Sequence, residues 1–201
     1  HTNPLLVFEG ESATITSERF HVIDVDTPDN ALVYNLTALP EHGVITRDGE
    51  AVTLESTFTQ HDVNRGIIEY HHDDSESSED VFTFYVIDDD NNVTPERVYH
   101  VNITPVNDAP IHDHHSELVV DEGDDARFTE VNLHIVDRDT GPRDIVYALS
   151  DMPENGTLTR NGVELTAEST FTQRDIANGL LRYAHDGSED LEDTFTFTVS
   201  D

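Results

Sequence analysis

Apolar residues recur at every second position in short runs along this chain. In 82–86, Phe82, Phe84 and Val86 fall on one face while Thr83 and Tyr85 fall on the other. A period of two is the mark of a half-buried strand. The same alternation places Tyr99, Val101 and Ile103 together, and Leu32, Tyr34 and Leu36 together. The run at 44–53 carries Asp48-Gly49 at its middle, and a similar run further on carries Asn161-Gly162. Two-residue loops of this type match the twist of a β-hairpin. No stretch sustains a helical period. The best helical turn spans 59–66, where Thr59 and Asp62 have the spacing of a capping box, as do Thr172 and Asp175. Short strands with frequent turn signals predict an all-β chain built as antiparallel sandwiches.

The pattern is written twice. Residues 7–88 align on 120–201 without a gap at a constant offset of 113, with 39 identities in 82 positions. Glu9-Gly10 matches Glu122-Gly123, Asp24 and Asp26 match Asp137 and Asp139, and Asp88 matches Asp201. Two units follow, 1–108 and 109–201, each of normal sandwich size. The first copy continues past Asp88 through a further run, 97–104, expected to pair beside 80–88. The second stops at Asp201, without a counterpart of that run, so the sequence reads as a piece of a longer tandem array. Pro105 and Pro110 flank the junction Val106-Asn107-Asp108 and make it short and stiff.

Charge narrows the partners. The 201 residues hold 43 acids against 10 basic side chains, a formal net charge of −33. Phosphates would be repelled, which argues against nucleic acid and anionic membranes, and favours a cation. No apolar run approaches the roughly 18 residues of a membrane span. There is no Cys, so the fold rests on its core and hydrogen bonds, with or without metal. None of the local signatures of phosphate-binding loops, nucleophile elbows or zinc hydrolases is present, and no enzyme is expected.

The segment STFTQRDIANGLLRYAHDGSEDLEDTFTFTVSD (169–201) resembles the chondroitin sulfate proteoglycan (CSPG) repeat, which occurs in Fraser-type extracellular matrix proteins and large bacterial surface proteins. The junction VNITPVNDAP (101–110) and the motifs DVDT (24–27) and DRDT (137–140) resemble cadherin-type repeats, to which that family is related. The resemblance covers nearly the whole chain. It implies immunoglobulin-like, cadherin-like sandwiches in tandem, an extracellular or cell-surface location, and Ca²⁺ where successive repeats meet. Carried over by position, the ligands would be Glu9, Asn107, Asp108, Asp137, Asp139 and Asp201. Asp24, Asp26 and Asp88 would face a preceding unit, and Glu122 a following one. The cadherin linker's leading Asp is absent here, and Ala109 replaces its last Asn, which implies fewer ions than a full cluster.

Ca²⁺ takes six to eight oxygens at about 2.3–2.6 Å, and an Asp-x-Asp on extended backbone aims two carboxylates the same way. The competing reading is that these are turn residues, which Asp favours. Asp62 and Asp175 are explained by capping as well as by metal. The acidic runs 72–80 and 185–193 read as solvated hairpins. His72 and His185, at matched positions, read as structural hydrogen-bonding groups, and His112, His114 and His115 meet no metal template. Four sequons begin at Asn35, Asn92, Asn102 and Asn155, and would matter only in a secretory eukaryotic setting. The sequence thus predicts a calcium-stiffened spacer in cell adhesion. The alternative is a module that binds glycan or a matrix or cell-surface protein. An exposed aromatic platform for sugar is not evident, since there is no Trp and most aromatic residues follow the core pattern.

Overall fold

A computed structural model describes residues 2–201. The chain divides between Val106 and Asn107 into two units. In the first, the strands are β1 (Leu5–Phe8), β2 (Ser12–Thr14), β3 (Val33–Ala38), β4 (Gly43–Arg47), β5 (Glu50–Ala51) and β6 (Thr57–Thr59). The helical turn α1 (Gln60–Asn64) follows, then β7 (Ile68–His72), β8 (Glu79–Ile87) and β9 (Arg97–Thr104). They form a five-stranded sheet, β1-β9-β8-β3-β6, and a four-stranded sheet, β2-β7-β4-β5.

The strand alternation seen in the sequence is the burial pattern. Phe82, Phe84 and Val86 on β8 and Tyr99, Val101 and Ile103 on β9 all face the core. Phe20 sits among the aromatic rings, 4.8 Å from Tyr34, 4.8 Å from Phe84 and 4.9 Å from Tyr99 between centroids. Tyr34 stacks on Phe58 at 5.0 Å. β8 and β9 run antiparallel. One pair departs from the antiparallel expectation: β1 lies parallel to β9, Leu5 opposite Val101 and Val7 opposite Ile103. The first strand of the unit thus closes the sheet beside its last.

The second unit repeats the plan with β10 (Ile111–His115), β11 (Asp125–Arg127), β12 (Leu133–Val136), β13 (Val146–Asp151), β14 (Gly156–Arg160), β15 (Val163–Glu164) and β16 (Thr170–Thr172). The turn α2 (Gln173–Ala177) leads into β17 (Leu181–His185) and β18 (Thr196–Ser200). Its sheets are β11-β17-β14-β15, β16-β13-β18 and the pair β10-β12. Tyr147 stacks on Phe171 at 4.7 Å, as Tyr34 does on Phe58.

The turn chemistry is local. Asp48 and Gly49 take φ of 52° and 82°, and Asn161 and Gly162 take 51° and 77°. Both central residues in the left-handed region give the tight hairpin that Asn-Gly and Asp-Gly favour. At Gly43 the reason for glycine is space: a Cβ there would lie 2.5 Å from the Tyr70 ring and from His71 O.

Candidate metal centre

Three carboxylates of the second unit converge. Asp137 and Asp139 lie just after β12, and Asp201 follows β18. One oxygen from each lies within 4.8 Å of the others. The Asp-x-Asp turn sets up the first two. Asp137 Oδ1 accepts from the Asp139 N–H at 3.1 Å and the Thr140 N–H at 2.8 Å. Its Oδ2 is shut away from solvent and has no hydrogen-bond partner among the described residues. A buried carboxylate oxygen without a donor is costly unless a cation faces it.

The start of the unit lies against this group. Asn107 Nδ2 donates to Asp201 Oδ2, and the Asp108 N–H donates to Asp139 Oδ2 at 3.2 Å. The Arg138 guanidinium is 3.7 Å from Asp108 Oδ2. Five of the ten residues expected from the resemblance therefore share one neighbourhood. Glu9 belongs to the first unit. It is buried, its Oε2 accepts from the Val106 N–H at 3.0 Å, and its Oε1 has no partner among the described residues.

Asp24, Asp26 and Asp88 are arranged otherwise. Asp24 Oδ1 makes the same turn bonds, to the N–H groups of Asp26 and Thr27 at 3.1 and 3.2 Å. Its side chain also shares a hydrogen bond with Asp26, which holds the Asp24 carboxyl below its ordinary value and, with the Asp24 charge, pushes Asp26 up. Both Asp88 oxygens are taken, by Asn92 N at 2.7 Å and Asn92 Nδ2 at 2.8 Å. Among the described residues, only the Asp137, Asp139 and Asp201 set brings three carboxylates together.

Asp62 and Asp175 are caps. The Thr59 hydroxyl accepts from Asp62 N at 3.2 Å, Asp62 Oδ2 accepts from Thr59 N at 2.9 Å, and Thr172 with Asp175 repeats the box. Burial pushes the Asp62 carboxyl up, but the Thr59 amide and hydroxyl and the Arg47 guanidinium outweigh it and hold the group low.

Two structural roles escaped the sequence reading. Gln60, of the Phe-Thr-Gln block, is fully buried, and its Oε1 accepts from Tyr34 Oη at 2.6 Å and Val22 N at 2.9 Å. Gln173 does the same for Tyr147 and for Ile135 N. Only the repetition of Phe-Thr-Gln at one slot in both copies hinted at this. The acidic run 72–80 is mostly exposed, but its last residue, Asp80, is buried. It accepts from Tyr70 Oη at 2.8 Å and from the N–H groups of Glu41, His42 and Val81. His72 Nδ1 accepts from Gly10 N at 3.0 Å and Asp74 N at 3.2 Å, pinning the same hairpin to the turn after β1.

Repeated sandwiches with buried Gln and Asp clamps and a carboxylate group beside the Asn107-Asp108 segment define a class of tandem β-sandwich repeat. The chain belongs to the cadherin-like family, whose model it matches over residues 1–103 and 110–201. It is 33% identical over its whole length to the human extracellular matrix organizing protein FRAS1, and 33% identical over 96% of its length to extracellular matrix protein 3 of Lytechinus variegatus. It is 30% identical over 85% of its length to mouse chondroitin sulfate proteoglycan 4. The chain spans 5%, 6% and 7% of these relatives. Among the described residues no helix is long and apolar enough to cross a membrane. The chain is a cadherin-like repeat segment of the extracellular matrix type.

Proposed function

We propose that this segment binds Ca²⁺ through Asp137, Asp139 and Asp201, with Asn107 and Asp108 completing the shell, and serves as a calcium-stiffened spacer in an extracellular adhesion or matrix protein. The observation that carries this is the buried, unpartnered Asp137 Oδ2 within a group of three carboxylates. A hard cation suits an all-oxygen set, and the side chains of Asp108 and Asn107 supply further oxygens to approach the six or more that Ca²⁺ prefers. A bound ion would tie the 107–108 segment to the turn after β12 and the end of β18, restraining the point at which the second unit begins. The net charge of −33 adds a non-specific preference for cations. The relatives' names place them in the extracellular matrix, which supports the same setting here.

Calorimetric titration of the metal-stripped chain with Ca²⁺ and with Mg²⁺ tests the reading. Saturable Ca²⁺ binding, tighter than Mg²⁺ and lost in Asp139→Asn, is expected. Binding only to the folded state should stabilise by about 2.7 kcal/mol at a hundredfold excess over Kd. Identical melting curves with Ca²⁺ and with chelator, at fixed ionic strength, would overturn it.

A further inference from the structure

The few basic side chains of this acidic chain are not evenly spread. Three of the ten, Arg143, Arg160 and Arg174, line one cleft of about 510 Å³ in the second unit, and Asp175 is the single acid on its wall. Backbone bonds hold the walls together. Arg174 N donates to Pro142 O at 2.7 Å and Gln173 N to Ile145 O at 3.2 Å, so the 141–145 loop is pinned to the start of α2. Asp175 is committed to the Thr172 cap. Arg160 donates to Thr170 O at 2.9 Å and lies 3.6 Å from Asp175. Arg143 and Arg174 are exposed and have no side-chain partner among the described residues. The first unit shows what is particular here. At the matched positions, Asn30 stands for Arg143, His61 for Arg174, Asp48 for Asn161 and Glu50 for Val163. Arg47 is then set with Asp48, Glu50 and Asp62, where the second unit sets three arginines with one aspartate. The scaffold is the same, since His61 N donates to Asp29 O at 3.0 Å as Arg174 N does to Pro142 O. The difference lies in charge alone.

We propose that this cleft binds the carboxylate of a single acidic sugar residue, a uronate at the end of a glycan chain. A guanidinium fork matches a carboxylate bidentately, and Arg143 and Arg174 supply two forks with no other partner. Leu165, which is 7% exposed, lies with Val163 and Leu180 on an aliphatic wall suited to the C–H face of a pyranose. Asn161 and Arg160 offer donors to its hydroxyls. The net charge limits the ligand. Repulsion from −33 rises with the ligand's own charge. At physiological salt that repulsion is screened beyond about 8 Å. One carboxylate held at contact distance is therefore favoured, and a polyanion is not. None of the lining residues belongs to the Asp137, Asp139 and Asp201 group, so the cleft and the metal reading stand or fall separately.

Methyl glucuronide is the probe, titrated into the intact chain above about pH 8, where an ordinary imidazole is neutral, and followed by amide chemical shifts. Saturable shifts confined to 142–145, 160–165 and 172–180 are expected, weaker at higher salt and absent at the matched positions of the first unit. Arg143→Asn and Arg174→His install the residues that the first unit already carries at these slots, so both variants should fold. Each should weaken binding about tenfold or more, the worth of a hydrogen bond to a charged group. No binding, equal shifts in both units, or equal binding of methyl glucoside would overturn the proposal. Tighter binding of a glutamyl peptide with blocked ends would assign the cleft to a protein partner, and tighter binding of a polyuronate fragment would refute a single-residue site; either result also overturns it.

Discussion

Gln60 and Gln173 occupy the same slot but differ at one bond. Gln60 Nε2 donates to Asn64 Oδ1 at 2.9 Å, whereas Gln173 Nε2 is buried with no partner among the described residues, because Ala177 stands where Asn64 would be. An unmade buried hydrogen bond costs about 1–3 kcal/mol. Ala177→Asn should therefore stabilise the second unit, by about 0.5–1 kcal/mol after the lower helix propensity of Asn. Thermal unfolding resolved by unit checks it, and a destabilised variant would show that the Gln173 amide is already satisfied.

Tyr99 presents the reverse case. Its hydroxyl is buried and makes no hydrogen bond among the described residues, while its ring contacts Phe20 and Phe82. Tyr99→Phe should be neutral or stabilising by up to about 1 kcal/mol, because it removes a desolvated polar group and keeps the ring. Tyr99→Ala should cost about 3–5 kcal/mol, as large aromatic truncations in cores do. Denaturant midpoints of the two variants separate the ring from its hydroxyl.

The legible part of this fold was whatever repeats locally. Period-two alternation located β8 and β9, Asp48-Gly49 marked the β4–β5 hairpin, and Thr59 with Asp62 marked α1. These depend on neighbours in the chain. The parallel pairing of β1 with β9 joins residues almost a hundred positions apart, and no local pattern encodes it. Asp80 looked like one more exposed acid because its partners, Tyr70 and the amides of Glu41 and His42, come from other strands. The Asp137, Asp139 and Asp201 group was reachable only through family resemblance, since Asp24, Asp26 and Asp88 share its sequence pattern but not its convergence.

Gly43 and Gly156 each lie under a tyrosine ring, with a Cβ clashing at 2.5 Å against both ring and backbone. Gly43→Ala should displace Tyr70 from Asp80 and cost about 1–3 kcal/mol, the usual range for overpacking. Hydrogen exchange should show the loss centred on the Glu41 and His42 amides, which Asp80 accepts. Wild-type protection there would contradict the steric account.

Capping and metal binding separate by mutation. Asp62→Ala removes the Thr59 box and the Arg47 pair at 3.2 Å. It should lower the stability of the first unit by about 1 kcal/mol or more without changing Ca²⁺ affinity. Asp137→Asn should weaken Ca²⁺ and leave the first unit's melting unchanged. If Asp62→Ala abolished Ca²⁺ binding at unchanged stability of the metal-free protein, the capping role would fail.

The acid and alkaline limits should have different origins. Burial pushes the Asp193 carboxyl up, but the Tyr183 hydroxyl at 2.8 Å and the amides of Glu154, Asn155 and Thr194 outweigh it and hold the group below its ordinary value of 3.8. A group depressed in the folded state contributes stability above its unfolded pKa, and that stability is lost as pH falls through the folded value. Asp62 acts in the same direction in the first unit. Both units should therefore lose stability as pH falls below about 4, even though protonation also relieves repulsion among 43 acids. At the other limit, burial pushes the Tyr99 hydroxyl from 10 up to about 12. A raised group contributes stability that is complete below the unfolded value and disappears as pH rises through the folded one. Stability of the first unit should thus fall as pH rises above about 10, with Tyr34 and Tyr70, also pushed up by burial, adding to the slope, and Tyr99→Phe should make that limb shallower while leaving the acid limb unchanged. Tyrosinate absorbance followed with unfolding across both ranges checks this. An alkaline limb of the same slope in Tyr99→Phe would assign it to other groups.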